Sequence, residues 1–271
     1  METIIKALHS IIEGYLKQEE TVGLLYSGGL DSTIIAHILL SYFPSSAVQA
    51  VTVGLPDSYD VKNALTMATE LGLSVSPCYL SDEVLTEAID GLLQLNLVNN
   101  PGDLSIAVPL FLGMDTLAKT PGLQMVFLGQ GADELFAGYR KYVTLYTKHG
   151  IEATQQAMAR DFTRLTTQQA ELERWIAQFF NLSLVYPYLD PLIVNYAQSQ
   201  PLEAHLSQTP EGDVIRKNLL RKLASNLGLS YRAATQPKKA MQYGSGTVKL
   251  LRKKAKLAGY RSISEWFSTI F

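Results

Sequence analysis

Cysteine is nearly absent from this 271-residue chain. Cys78 is the only one, which excludes an internal disulfide framework, a CxxC redox pair and a thiolate zinc cluster. Histidine is also sparse: His9, His37, His149 and His205 lie far apart with no HxxH or HExxH spacing, so no catalytic zinc is expected. No apolar run is long enough to span a bilayer, since the longest, Thr33 to Phe43, is short and interrupted by His37. Internal repeats and low-complexity tracts are missing as well. The opening METIIKALHS carries an acid at position 2 and spaces Ile4, Ile5, Leu8, Ile11 and Ile12 along one helical face, which reads as an amphipathic helix rather than a signal peptide. These absences predict a soluble, cytoplasmic protein with no membrane partner.

What is present is an ordinary globular composition, 47% hydrophobic and 18% charged, enough for one to two domains. The net charge of −2 conceals an uneven distribution: residues 1–212 carry 10 Lys/Arg against 23 Asp/Glu, whereas residues 213–261 carry 13 Lys/Arg and the single acid Asp213. A basic segment of this kind can pair with the acidic body, gather the phosphates of a small ligand, or touch RNA. Charge alone does not choose.

Four short apolar runs, TVGLLY, AVQAVTVGL, LSVSPCYL and QMVFLG, alternate with helical patterns, which predicts parallel strands with crossover helices. The expected fold class is α/β, with residues 1–140 as a doubly wound parallel-sheet unit. From about Tyr142 no comparably convincing strand is visible. The segments Ile151 to Phe180 and Asp213 to Leu227 read as helices, so residues 141–271 are expected to be a mainly helical part of the same domain. QSQPLEAHLSQTPEG reads as a surface loop between helices, and Trp175 and Trp266 read as core.

In an open parallel sheet ligands bind at the carboxyl ends of the strands, where SGGLDS and GQGADE both fall. In the first loop Gly28 and Gly29 let backbone N–H groups approach a ligand, Ser27 and Ser32 add hydroxyls, and the following helix adds its positive end. That is a cradle for an anion such as phosphate. Asp31 beside a polyphosphate would repel it unless a divalent cation lay between, and Mg2+ resolves the conflict with Asp133 as the second carboxylate. The structural alternative is a glycine turn in which Asp31 or Ser32 caps a helix, and acids such as Asp133 and Glu134 are expected in a first turn on dipole grounds alone. A lysine-bearing GxxxxGKS/T loop is absent, so the lysine must come from elsewhere, and the basic segment offers it. PKKAMQYGSGT reads as a flexible lid bringing Lys238 and Lys239 over the phosphates, or else as a plain surface loop.

These motifs resemble the N-type ATP pyrophosphatases, and within them the synthetase domain of asparagine synthetases and β-lactam synthetases. SGGLDS is similar to the family's pyrophosphate loop, VGLPDSYDVKNA to the segment after strand two, GQGADELFAGY to GEGxDExFxGY and VYPYLD to VPFLD. IRKNLLRK and QPKKAMQYGSG follow in the family's order, so the resemblance covers roughly residues 20–250. It implies that ATP lies with its adenine near backbone groups of Leu25, Val53 and Gly129 and its phosphates on Ser27 to Ser32. Asp31 and Asp133 would hold Mg2+, and Lys217, matching the lysine of the family's EKxILR segment, would stabilise phosphate charge. The implied chemistry is adenylation of a small carboxylate, aspartate or another acid, with release of pyrophosphate, followed by displacement of AMP by ammonia or an amine.

The departures lie on the acceptor side. The glutaminase half is expected to be missing, so nitrogen would arrive as free ammonia, as an amine, or from a separate glutaminase. Gln130 stands where asparagine synthetases have a glutamate, and an uncharged amide is no general base at neutral pH. Ser183 and Val185 replace the family's Glu-x-Arg before VPFLD. Two other functions remain open at this point: an ATP-dependent enzyme that modifies RNA, with tRNA held by residues 213–261, and a nucleotide-binding subunit without catalysis.

Overall fold

A computed structural model describes residues 2–16, 20–209, 212–236 and 240–270. The chain opens with helix α1 (Glu2–Leu16), followed by β1 (Val22–Leu25), α2 (Leu30–Leu40), β2 (Val48–Gly54), α3 (Tyr59–Leu71), β3 (Val75–Tyr79), α4 (Asp82–Leu95), α5 (Pro101–Ala118) and β4 (Met125–Phe127). Caps set these boundaries: Ser58 and Ser81 accept from the backbone N–H three residues on, Asn100 does the same just before Pro101, and Gly72 ends α3 at a φ of 68°.

The main sheet is parallel throughout, in the order β3-β2-β1-β4 with a fifth strand, β5 (Ser183–Val185), beyond β4. The chain runs outward from β1 in one direction and then returns to β4 on its other side, so the switch point lies between the carboxyl ends of β1 and β4. Alternation of side chains divides the core into two layers. Val22, Leu24, Val48 and Ala50 face α1, α2 and α3, while Val51, Val53 and Val126 face α4 and α5.

The second half continues with α6 (Ala132–Leu135), α7 (Arg140–Arg164), a π-helical turn over Leu165–Gln169, α8 (Ala170–Phe179), β5 (Ser183–Val185), α9 (Pro191–Ser199) and α10 (Leu202–His205). A two-stranded antiparallel ribbon, β6 (Ser207–Gln208) with β7 (Val214–Ile215), precedes α11 (Asn218–Asn226), α12 (Tyr231–Thr235), α13 (Met241–Gly244), α14 (Thr247–Leu257) and α15 (Ile263–Ile270). Mainly helical is therefore right for this half, with three corrections. Three residues, too short for any periodicity, place β5 in the main sheet. The helix expected from Asp213 starts only at Asn218 because Val214 and Ile215 pair with Gln208 and Ser207. The stretch 200–212 holds α10 and one strand of the ribbon rather than loop alone. Trp266 is buried as expected, whereas Trp175 is 50% exposed on the outer face of α8, where Ile176 and Ala177 take the core positions.

His205 is the one histidine in the core. Its Nε2 lies 3.0 Å from the Ala197 carbonyl, its ring meets Phe136 edge-on, and burial lowers its pKa. The folded protein therefore binds less proton than the unfolded chain just below the ordinary histidine value, so stability falls as pH drops through about 6.5. In urea titrations from pH 7 to 5 the wild type is expected to lose stability relative to His205→Phe, with a slope of at most about 1.4 kcal/mol per pH unit. A constant difference between the two proteins across this range would show that the ring is not held neutral.

Candidate active site

The loop after β1 is shaped by contacts that only glycine allows. Gly28 has a φ of 67°, and a Cβ there would lie 2.6 Å from the Ala64 backbone nitrogen in α3. Its carbonyl accepts a 2.6 Å bond from the buried Gln236 amide. Gly29 donates its N–H to Ser27 Oγ and its carbonyl accepts from Ser32 Oγ, both at 3.2 Å, so the two serines fold back on the turn they flank. Gly29 also starts α2 with no side-chain cap, which leaves the first-turn N–H groups of an 11-residue helix directed at a small pocket. Tyr59, Asp60, Asn63, Lys217, Arg221 and Gln236 complete that pocket.

The loop after β4 presses against this one. A Cβ on Gly129 would lie 3.2 Å from Cβ of Asp31, and Gly131 takes a φ of 90° to turn the chain into α6. Asp31 in the first turn of α2 and Asp133 in the first turn of α6 thereby face one another across the switch point. Lys217 lies between them, with Nζ 2.5 Å from Asp31 Oδ2 and 2.7 Å from Asp133 Oδ1. The lysine is 3% exposed and has a φ of 55°, an unusual backbone state for a non-glycine residue that aims its side chain from the start of α11 into the site. Gly138 is close enough that a Cβ would collide with both the Asp133 carboxylate and the Lys217 stem.

Neighbouring groups lock this arrangement. Tyr188 Oη donates to the Asp31 carbonyl at 3.1 Å, and Arg216 Nη1 donates to the Gly138 carbonyl at 2.7 Å. The Arg221 guanidinium binds the carbonyls of Arg216, Ala234 and Gln236, which ties α11 to the residue that clamps Gly28. Glu134 is buried, which pushes its carboxyl up to about 7, and it accepts a 2.7 Å bond from Tyr139 Oη.

A larger cavity of about 220 Å³ opens over the strand ends beside Asp31 and Asp133. Leu25, Val51, Val53, Ile106, Pro109 and Leu128 give it an apolar wall, while Ser27, Asp31, Ser32, Gly129, Gln130, Asp133 and Tyr139 give it a polar one. Of the residues expected from sequence, Leu25, Ser27, Asp31, Ser32, Val53, Gly129, Gln130 and Asp133 line this cavity, Gly29 and Lys217 line the small pocket, and Gly28 forms the turn behind it. Lys238 and Lys239 lie outside the described residues. The rest of that tract is packed: Ser245 and Thr247 are buried, and the Ser245 carbonyl accepts from Leu55 N–H at 2.8 Å. It borders the cavity through Met241 and Gln242 as a wall, not as a loose flap.

Several contributors were not singled out from sequence. Arg221 had a signal, since it ends the RKNLLR stretch that contains Lys217. Glu173 and Gln169 had none, because an acid and an amide on an amphipathic helix look like solvated surface, yet Glu173 is 0% exposed and bonded to the Gln130 amide. The basic segment spends part of its charge on the acidic body: besides Lys217, Arg232 reaches Glu70 at 3.5 Å and Lys253 reaches Asp82 at 2.6 Å.

Removing one member of a buried ion pair leaves the other charge uncompensated, so Lys217→Met is expected to lower stability by about 3–5 kcal/mol in urea titrations. Adding Asp31→Asn should recover part of that loss. A double variant no more stable than Lys217→Met would mean that Asp31 and Lys217 are not coupled.

The Asparagine synthase family model matches residues 4–184. A Methanocaldococcus jannaschii protein bearing the name of a glutamine-hydrolyzing asparagine synthetase is 28% identical over 286 residues, 96% of this chain and 52% of that protein. The human asparagine synthetase domain-containing protein 1 is 29% identical over 127 residues, 47% of this chain and 20% of that protein. The chain thus spans about half the length, or less, of these relatives. Among solved structures, an NMN synthetase from Francisella tularensis superposes with a TM-score of 0.49 at 11% identity, covering 99% of this chain and 90% of that one. Since the family model takes in the whole sheet up to β5 and both loops that carry Asp31 and Asp133, the chain belongs to the asparagine synthase family.

Proposed function

We propose that this chain is the AMP-forming synthetase unit of an ATP-dependent carbon–nitrogen ligase. The observation that carries this reading is the convergence of an uncapped helix N-terminus, two serine hydroxyls and a buried lysine at the switch point of the sheet. Such a set binds phosphate oxygens, and the apolar wall of Leu25, Val53 and Leu128 beside it suits a purine ring.

In the first step a carboxylate oxygen of the acid substrate bonds to the α-phosphorus of ATP, and the bond to the bridging oxygen breaks. Pyrophosphate leaves with the electron pair. The N–H groups of α2, Ser27, Ser32 and Lys217 are already oriented where this negative charge grows, and one such group typically contributes roughly 3 kcal/mol to the barrier. In the second step the nitrogen of ammonia or an amine bonds to the acyl carbon, the acyl–oxygen bond to AMP breaks, and the nitrogen sheds a proton. Arg221 and Asn63 extend the pocket on the pyrophosphate side.

The residues present also fit Mg2+. Asp31 Oδ1 is buried with no hydrogen-bond partner among the described residues, and with Asp133 it offers hard carboxylate oxygens at the edge of the phosphate pocket. When bound there the ion would neutralise phosphate charge. Lys217 keeps both carboxylates from swinging away.

Carboxylate-dependent exchange of labelled pyrophosphate into ATP, run over a panel of carboxylic acids, tests this reading. At least one acid is expected to support exchange, and Asp31→Asn and Lys217→Ala should each lower it by about 10²–10³-fold. No exchange with any acid, together with no ATP binding by calorimetry, would overturn the proposal.

A further inference from the structure

Two neighbouring helices carry exposed charge of opposite sign, each of one sign only. On α4 the face opposite the buried Leu85, Ala88, Ile89 and Leu92 holds Glu83, Glu87 and Asp90, all exposed. On α14 the face opposite the buried Leu250, Leu251 and Ala255 holds Lys249, Arg252, Lys253 and Lys256, also exposed. The two helices lie side by side: Lys253 Nζ is 2.6 Å from Asp82 Oδ2, and Lys254 Nζ donates to Thr86 Oγ1 at 2.7 Å. Beyond this seam Glu87, Asp90, Lys249, Arg252 and Lys256 make no side-chain hydrogen bond or ion pair among the described residues.

Such segregation works against each helix. Glu83 and Glu87 are like charges at i,i+4, and so are Lys249 with Lys253 and Arg252 with Lys256, where alternating signs would have supported the helix. Lys249 also stands in the first turn of α14, at the positive end of the helix dipole. Solubility alone is served as well by mixed signs. The two rows do, however, match one another. Glu83 and Asp90 are seven positions apart, as are Lys249 and Lys256, so each row covers about 10 Å of helix axis. A surface with an acidic row beside a basic row of equal length is complementary to itself. A two-fold axis along the seam between the helices lays the acids of one copy on the bases of the other, and the bases on the acids. Leu257, 74% exposed in the last turn of α14, adds an apolar contact at the end of the basic row.

We propose that the outer faces of α4 and α14 form a two-fold interface between two copies of this chain. Glu83, Glu87 and Asp90 of one copy pair with Lys249, Arg252 and Lys256 of the other, and the reverse. A polyanion such as RNA suits the basic row but is repelled by the acidic row beside it, whereas a second copy answers both. None of these six residues lines either cavity, so the interface does not depend on what the cavities bind. Exposed charges guide association and are screened by salt, so the dimer is weak and salt-sensitive.

Sedimentation equilibrium over a concentration series tests the interface. The wild type is expected to dimerise in about 0.05 M NaCl and to dissociate toward monomer at about 1 M, where the Debye length falls to about 3 Å. Arg252 and Glu87 are the middle members of their rows and meet whichever way the two helices run. Arg252→Glu and Glu87→Lys should therefore each raise the dimer Kd at least about tenfold at low salt, by setting like charges opposite one another. Mixed in equal amounts, the two variants should associate again as a heterodimer, because both central pairs are then complementary, a recovery that a folding defect could not give. A wild type that stays monomeric at low salt overturns the proposal, and so does a dimer that persists in about 1 M NaCl. A dimer unaffected by either variant, open-ended larger assemblies, or folded variants that stay apart when mixed overturn it equally. Circular dichroism reports whether the variants fold, and the wild-type salt series decides the matter where one does not.

Discussion

The Lys217 ammonium between Asp31 and Asp133 is the interaction on which the rest of this site depends. It joins three elements distant in sequence: the turn after β1, the turn after β4, and the start of α11. Two acids facing each other across a switch point would repel, and the loops that carry them are pressed too close for the repulsion to be relieved by distance. The lysine removes the conflict, and its strained backbone indicates how strongly the position is determined by its surroundings. Ion pairs this deep cost desolvation and add little net stability, so the arrangement is better understood as holding charged groups in place for a ligand than as holding the fold together. The fold has its own support in the two apolar layers on either side of the sheet.

Much of this was legible in the sequence, for identifiable reasons. Strands β1 to β4 stood out because each is a short apolar run ended by a turn signal, and both site loops stood out because glycines next to acids are costly unless geometry demands them. Strand β5 was illegible because three residues cannot display a period, and its place in the sheet comes from pairing with β4. Trp175 was misread because helical spacing identifies a face without saying how wide the buried stripe is. Lys217 stands out in the sequence by its place in a motif, whereas its pairing with a carboxylate on either side is a tertiary fact. The packed wall at 241–247 looked like a flap because glycines and serines read as flexibility, whereas Gly244 and Gly246 are there for close approach to Asp60 and Leu55.

The two sides of the cavity are built from different materials, and that difference bears on how far each can change. The side at the first loop rests on a helix terminus and on Gly28, where a Cβ would collide with the backbone of α3, so substitution there disturbs the turn itself. The opposite wall includes two side chains, Gln130 and Gln169, each bonded to a third, Glu173, on the helix that follows the π turn. Side chains on an irregular turn can be exchanged one at a time at modest cost. The first loop is therefore the less changeable side of the cavity and the glutamine wall the more changeable one. Gln130 carries no charge itself, yet its amide is bonded to the carboxylate of Glu173 at the back of the same wall. Its place is behind two amides, so whatever Glu173 does at the cavity it does through Gln130 and Gln169.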